Sequence, residues 1–362
     1  MVHTVNRKRL SFDWWLLVVL LGLLVAGALN QASASMGGAL FKKQLVWFGS
    51  GLVIFFGLAF YDYRKLLSPR LVMISYLALL VLLSILLFKH TRWLRLGGLS
   101  VQPSEFAKLV LIVVFSLVLS HRKDPKYLDK RTFLTISLFA FPPILLVAAG
   151  DLDQGGILFL IYLSYLLAAG IPKRLFLSLL LGCILVGAVA GPKLWAVLKP
   201  YQRARVEAFL NPEAFKLDRG YQILQALIAV GSGGLTGQGF KEGLSSRLNY
   251  LPEKNTDLAF AVWAEEWGFI GTSVVLILFA ALIFLILRLS FQVRDPLGRM
   301  LCFGAATMFF WETSINIGGI LHLLPVASIP LPFLSYGGSA VLVNLATLGL
   351  VFAVSRRRYS FR

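Results

Sequence analysis

Ten stretches of the chain are long, apolar and almost free of charge, and this alone fixes the solvent for which the protein is built. The runs are Trp14 to Asn30, Leu45 to Phe60, Leu71 to Phe88, Phe106 to Ser120, Phe133 to Ala149, Gly156 to Gly170, Leu175 to Leu198, Gly268 to Leu287, Met300 to Leu321 and Phe333 to Val354. A bilayer core takes roughly 20 apolar residues per helical crossing, and only closed helices or barrels satisfy their backbone there. The expectation is an all-α polytopic membrane protein of about ten transmembrane helices, a single membrane domain over residues 1–362. With 58% hydrophobic and 14% charged residues, a soluble enzyme is excluded. Cys183 and Cys302 both lie in apolar runs, which speaks against a disulfide framework, and the four histidines show no zinc-ligand spacing.

Ten crossings put both termini on one side. That side carries Arg7, Lys8, Arg9, Arg64, Lys65, Arg70, the cations between Arg122 and Arg131, Lys173, Arg174, Arg288, Arg294, Arg299 and the Arg356 to Arg358 cluster. The opposite short connections hold only Lys42, Lys43, Lys89, Arg92 and Arg95. Positive residues mark the cytoplasmic side, so both termini are expected in the cytoplasm. The net charge of +18 then needs only membrane lipids as counterpart, not nucleic acid.

The connection from about Lys199 to Asp257, between the seventh and eighth helices, is too long for a simple link and too apolar for a disordered one. Tyr221 to Val230 reads as a short surface helix, and the glycines from Gly231 to Gly243 read as tight turns. The expectation is a large, partly helical extracytoplasmic loop.

Ionisable residues at membrane depth are costly and are by default functional. Pro103 sets a helix start that Ser104 can cap, and Glu105 and Lys108 share one helical face, where they either orient the helix as a pair or touch substrate. Asp151 and Asp153 sit in a tight turn that either caps the next helix or offers oxygen ligands to a divalent cation. The long loop interleaves Arg203, Arg205, Lys241, Glu253, Lys254 and Asp257, a pattern that is ordinarily a solvated surface. Thr256-Asp257 looks like a helix N-terminus, with Glu265 and Glu266 further along that helix unexplained by capping. From Pro325 to Ser339, proline, glycine and serine break a helix at membrane depth, either as a packing segment or as a site that includes Ser335 and Ser339.

Four of these stretches together resemble one family. Gln102-Pro103-Ser104-Glu105 with Lys108, Gly220-Tyr221-Gln222 with Gly231 to Gly234, Leu251-Pro252-Glu253 with Thr256-Asp257, and Pro330 to Ser339 are similar to the SEDS proteins of shape, elongation, division and sporulation, in the same order along nearly the whole chain. The turn Asp153-Gln154-Gly155-Gly156 departs from the family's usual Asp-Leu-Gly followed by Thr or Ser. The resemblance implies a peptidoglycan glycosyltransferase that polymerises lipid II during cell elongation at the outer face of the bacterial inner membrane. It also implies a class B penicillin-binding protein and other elongation-complex proteins as partners. It carries the family's essential loop aspartate onto Asp257, as general base or as ligand of Mg or Mn, with Asp153 a weaker ligand. Arg95, Glu105, Lys108, Arg203, Arg205, Lys241, Glu253, Lys254, Ser335 and Ser339 are the substrate candidates. A lipid II flippase and a non-catalytic scaffold that activates the penicillin-binding protein are the competing readings, and loss of Asp257 separates them.

Overall fold

The computed structural model describes residues 13–96, 99–122, 128–171, 177–178, 181, 200–215, 219–248 and 250–357. Its elements are α1 (Trp14–Ala34), α2 (Ala39–Phe60), α3 (Tyr63–Leu66), α4 (Pro69–Phe88), β1 (Leu94–Leu96), β2 (Leu99–Val101), α5 (Pro103–Ser120), α6 (Lys130–Gly150), α7 (Leu152–Ala168), α8 (Pro200–Leu210), α9 (Arg219–Ser232), α10 (Leu244–Arg247), α11 (Ala259–Gln292), α12 (Pro296–Ile320) and α13 (Gly338–Arg356). Among the described residues, seven helices are long and apolar enough to span a membrane: α1, α2, α4, α5, α6, α11 and α13. α7 is apolar but only 17 residues long. Nine of the apolar runs thus coincide with helices, while the run from Leu175 to Leu198 lies almost wholly outside the described residues.

The helices differ in what surrounds them. In the most apolar 18 residues of α13, 83% are buried inside the protein, and in α5 67%, against 28% for α2, α4 and α6. The first two form the centre, and the last three leave one side to lipid. α13 packs on α2 and α5, and α12 packs on α5, α7 and α11. Outward residues such as Val53, Ile74, Leu138 and Ile277 are large and apolar, as a lipid-facing surface requires.

The chain's alternation sorts its connections to two ends. At one end, Tyr63 Oη donates to Asp295 Oδ2 at 2.6 Å, Arg64 lies 3.6 Å from the same carboxylate, Arg357 lies 3.9 Å from Asp62, and Arg356 donates to Ala59 O. Burial, reinforced by Asp295, pushes the Tyr63 phenol above its ordinary pKa, so it stays a donor. The other end gathers the β1–β2 hairpin, the α6–α7 joint at Asp151, the loop helices α8 to α10 and the irregular stretch between α12 and α13. The expected loop is partly helical: α9 lays Ile223, Ala226 and Ala229 against the bundle, and its main neighbour is α11.

Two glycines permit this end to close. α11 is broken at Gly268, whose φ of 62° lies in the left-handed region, and a Cβ there would stand 2.3 Å from Gly237 N, where the glycine-rich loop crosses the break. Gly27 of α1 does the same for the other irregular segment, since a Cβ there would overlap Phe333 O at 2.1 Å.

Candidate active site

The turn carrying Asp257 is built from backbone outward. Leu251 and Leu258 are both 2% exposed and pin its two ends in the core. Between them the chain folds on itself, with Thr256 N and Leu258 N donating to Glu253 O at 3.0 and 3.2 Å, and Glu253 takes a positive φ of 48°. The expected helix start at Thr256-Asp257 is corrected: α11 begins at Ala259, Leu258 is its cap residue, and no side chain closes the cap. The buried Leu258 holds the entry, and Asp257 lies on the turn before it, half-buried.

Two neutral amides hold this turn against the broken segment before α13. Gln31 Nε2, from α1, donates to Asn255 O at 2.9 Å and to Leu334 O at 3.0 Å. Asn316 Nδ2, from α12, donates to Asp257 O at 3.1 Å and to Ile329 O at 2.7 Å. Each NH₂ has two donors, and each is divided between the two irregular segments. Tyr336 N adds a direct bond to Asn255 O at 2.7 Å. Non-helical backbone at this depth survives only with such partners.

The second polar group lies inside the helices. Lys108 Nζ sits 2.7 Å from Glu105 Oε2, as the sequence spacing predicts, and also contacts Glu312 Oε1 from α12. Glu105 Oε1 accepts from Gln154 Nε2 of α7 at 2.8 Å. All four side chains are at most 2% exposed. Two carboxylates and one ammonium taken out of water are tolerated only as a bonded unit. The cap expected from Ser104 is corrected: Gln102 holds that position, Pro103 begins α5, and no side chain caps it. Gln102 N instead donates to Ser339 Oγ at 2.8 Å, which ties α5 to the start of α13.

The remaining candidates distribute as follows. Ser335 Oγ accepts from Leu331 N at 2.9 Å, so both serine hydroxyls receive backbone N–H groups of the irregular stretch or its neighbour. Asp151 caps α7 through Gln154 N, and Asp153 Oδ2 accepts from Ser328 N at 2.9 Å, so the turn both caps and fastens. Lys254 shares the turn with Asp257, and burial pushes its ammonium below the usual lysine pKa. Glu253 is exposed and receives Thr256 Oγ1 at 3.0 Å. Lys241 lies in the glycine-rich loop over the Phe240 ring, Arg203 is half-buried on α8, and Arg95 is exposed on β1 opposite Ser100. Arg205 is on α8, with its side chain outside the described residues. Glu265 Oε1 accepts from Ser245 N at 2.9 Å and Glu266 bonds Ser33, so these two acids anchor the loop to α11 and α1.

For a Mg or Mn ion the donors are of the right kind but too few. Among the described residues no three His, Cys, Asp or Glu side chains gather to hold a metal. Asp257 fits only the mode in which one carboxylate shares an ion with substrate phosphates.

This arrangement can be set beside known proteins. A model of cell cycle proteins that unites FtsW, RodA and SpoVE matches residues 8–360. The chain belongs to that family. The peptidoglycan glycosyltransferase MrdB of Escherichia coli K12 is 35% identical, with 99% of this chain and 98% of MrdB covered. A chain of a peptidoglycan synthase complex, solved for the coordination of polymerization and crosslinking, superposes with a TM-score of 0.82 at 30% identity, covering 97% of this chain and 100% of that one. The rod shape determining protein RodA of Thermus thermophilus gives 0.71 at 27% identity, over 97% and 99%. The family expected from the four motifs is therefore the right one, and its members are polytopic membrane proteins like this chain.

Sequence reasoning missed Gln31, Gln154, Glu312 and Asn316. Each is a polar residue within or beside an apolar run, and that isolation was a signal in itself, since a buried amide or carboxylate must find a partner.

Proposed function

We propose that this chain is a peptidoglycan glycosyltransferase that joins lipid II units into glycan strands during cell elongation. Both termini lie in the cytoplasm, the loop end faces outward from the cytoplasmic membrane, and a class B penicillin-binding protein crosslinks the product. The observation that carries the reading is the Asp257 turn: a half-buried carboxylate on a backbone fixed by Gln31 and Asn316.

The chemistry asks little more. The 4-hydroxyl of the acceptor sugar attacks the anomeric carbon of the donor, the bond from that carbon to the pyrophosphate oxygen breaks, and configuration inverts. The hydroxyl proton passes to Asp257. Pyrophosphate leaves as an anion, so it needs charge neutralisation rather than the acid that an ordinary glycoside requires. Lys254 on the same turn is the first source of that charge, with Arg203, Arg205 and Lys241 of the loop as further donors.

Labelled lipid II, incubated in detergent with the purified protein and its penicillin-binding partner, tests this. The native chain should give a ladder of glycan strands, and Asp257→Asn should lower the rate by about 10²–10⁴-fold, the usual worth of a positioned base. Activity of Asp257→Asn that returns with added Mn²⁺ would assign the carboxylate to an ion instead. Undiminished strands from Asp257→Ala would refute both roles. The charge cluster at Lys108 favours a lipid II carrier, because carriers place charges within the membrane. Detergent has no sides, so a ladder there cannot come from flipping.

A further inference from the structure

A crevice opens on the loop end between the last turn of α4, the first turn of α5 and the last turn of α6. Its volume is about 300 Å³. One wall is apolar, made by Leu83, Leu87 and Val147, and the mouth carries Arg92 and Ser104. Resting on the glycosyltransferase reading, we infer that this crevice seats the head-proximal end of a polyprenyl pyrophosphate lipid, tail against the leucines and pyrophosphate at Arg92.

Three observations point the same way. First, the cavity is amphipathic along its length, as a lipid that crosses from hydrocarbon to headgroup depth demands. Its volume sits at the low end of ligand pockets, so it takes the first part of a tail and leaves the rest in the bilayer. Second, Arg92 spends one nitrogen on Asp151 at 3.3 Å, which fixes the guanidinium, yet its side chain remains 45% exposed. A guanidinium so anchored keeps donors in a fixed fork for phosphate oxygens. Third, the N-terminus of the 18-residue α5 opens here, with Pro103 and Ser104 in the lining and no side-chain cap bond from Gln102. A helix start of this kind favours an anion.

The position also serves the reaction. Asp151 bonds Gln102 at 3.5 Å, and Gln102 reaches Ser339 at the start of α13. Two residues beyond Asp151, Asp153 holds Ser328, which adjoins Ile329, the carbonyl that shares Asn316 with Asp257. A lipid head at Arg92 therefore lies against the same polar frame that carries the proposed base. Polymerisation needs two polyprenyl lipids at once, and this crevice accounts for one of them.

The experiment reads binding without turnover. A photoreactive short-chain polyprenyl pyrophosphate is crosslinked to the full-length protein in detergent, and labelled peptides are identified by mass spectrometry. Label on α4, α6 or the 89–93 connection is expected, falling at least fivefold in Ala149→Trp, which fills the crevice from an exposed position, and in Arg92→Gln, with Arg92→Lys between. Unlabelled polyprenyl pyrophosphate should compete and phosphatidylglycerol at equal concentration should not. Equal competition would reduce the crevice to an unselective phospholipid contact and overturn the proposal, as would unchanged labelling in a folded Ala149→Trp protein. Labelling as expected in a protein that never forms glycan would overturn the glycosyltransferase reading while the crevice stands. Normal glycan synthesis with no crevice label would do the reverse.

Discussion

The Lys108 cluster and the Asp257 turn sit on the same half of the bundle and are held by opposite means. The first joins three charged side chains from two helices and a neutral amide from a third, all removed from water, so that the charges depend on one another. The second is held through its backbone: neutral amides from α1 and α12 grip the carbonyls of Asn255 and Asp257, and the Asp257 side chain stands half-buried on the turn. A charge that must react cannot be held the way a charge that must stay buried is held. Fixing the peptide through Gln31 and Asn316 sets where Asp257 stands.

Breaking the first arrangement should have the larger effect on the fold. Lys108→Met leaves Glu105 and Glu312 buried without their cation, and unfolding in detergent should show a loss of about 3–5 kcal/mol. Adding Glu105→Gln and Glu312→Gln should restore most of it; a single variant as stable as the native chain would mean that water reaches the cluster. Asn316→Leu takes the donor from two carbonyls and should cost about 2–4 kcal/mol, with polymerisation falling more than lipid II binding, because the Asp257 turn moves while Arg203, Arg205 and Lys241 stay.

The contrast sharpens at Lys254. Burial has lowered its ammonium pKa, so its charge is lost at a lower pH than that of an ordinary lysine. Activity should decline on the alkaline side, and Lys254→Arg, which stays charged, should carry the profile to higher pH. Superimposable profiles would remove Lys254 from the pyrophosphate contact. At the small end, Arg247 and Glu242 pair at 2.7 Å with side chains 53% and 61% exposed, and Arg247→Ala should change stability by no more than about 0.5 kcal/mol.

Much of this was legible in the residue order. Apolar runs gave the helices because burial of a 20-residue apolar segment is a local property, and Pro103 and Asp151 punctuate them as written. The Glu105–Lys108 pair follows from i,i+3 spacing alone. The start of α11 was read two residues early, because Thr256-Asp257 has the chemistry of a cap while buried Leu258 and the Glu253 carbonyl decide where the chain turns.

By itself, then, the sequence determined a bilayer protein, its helical segments, the charge bias of its two sides and, through four motifs, its family. Tertiary structure alone decided that Glu312 completes the Lys108 cluster, that Gln31 and Asn316 clamp the Asp257 turn to the 329–334 backbone, and that Arg92 stands over an amphipathic crevice. The reason is one of range. Periodicity and capping act within a few residues, whereas a buried polar atom's partner is set by which helices pack together and how each is rotated, and no local pattern records that.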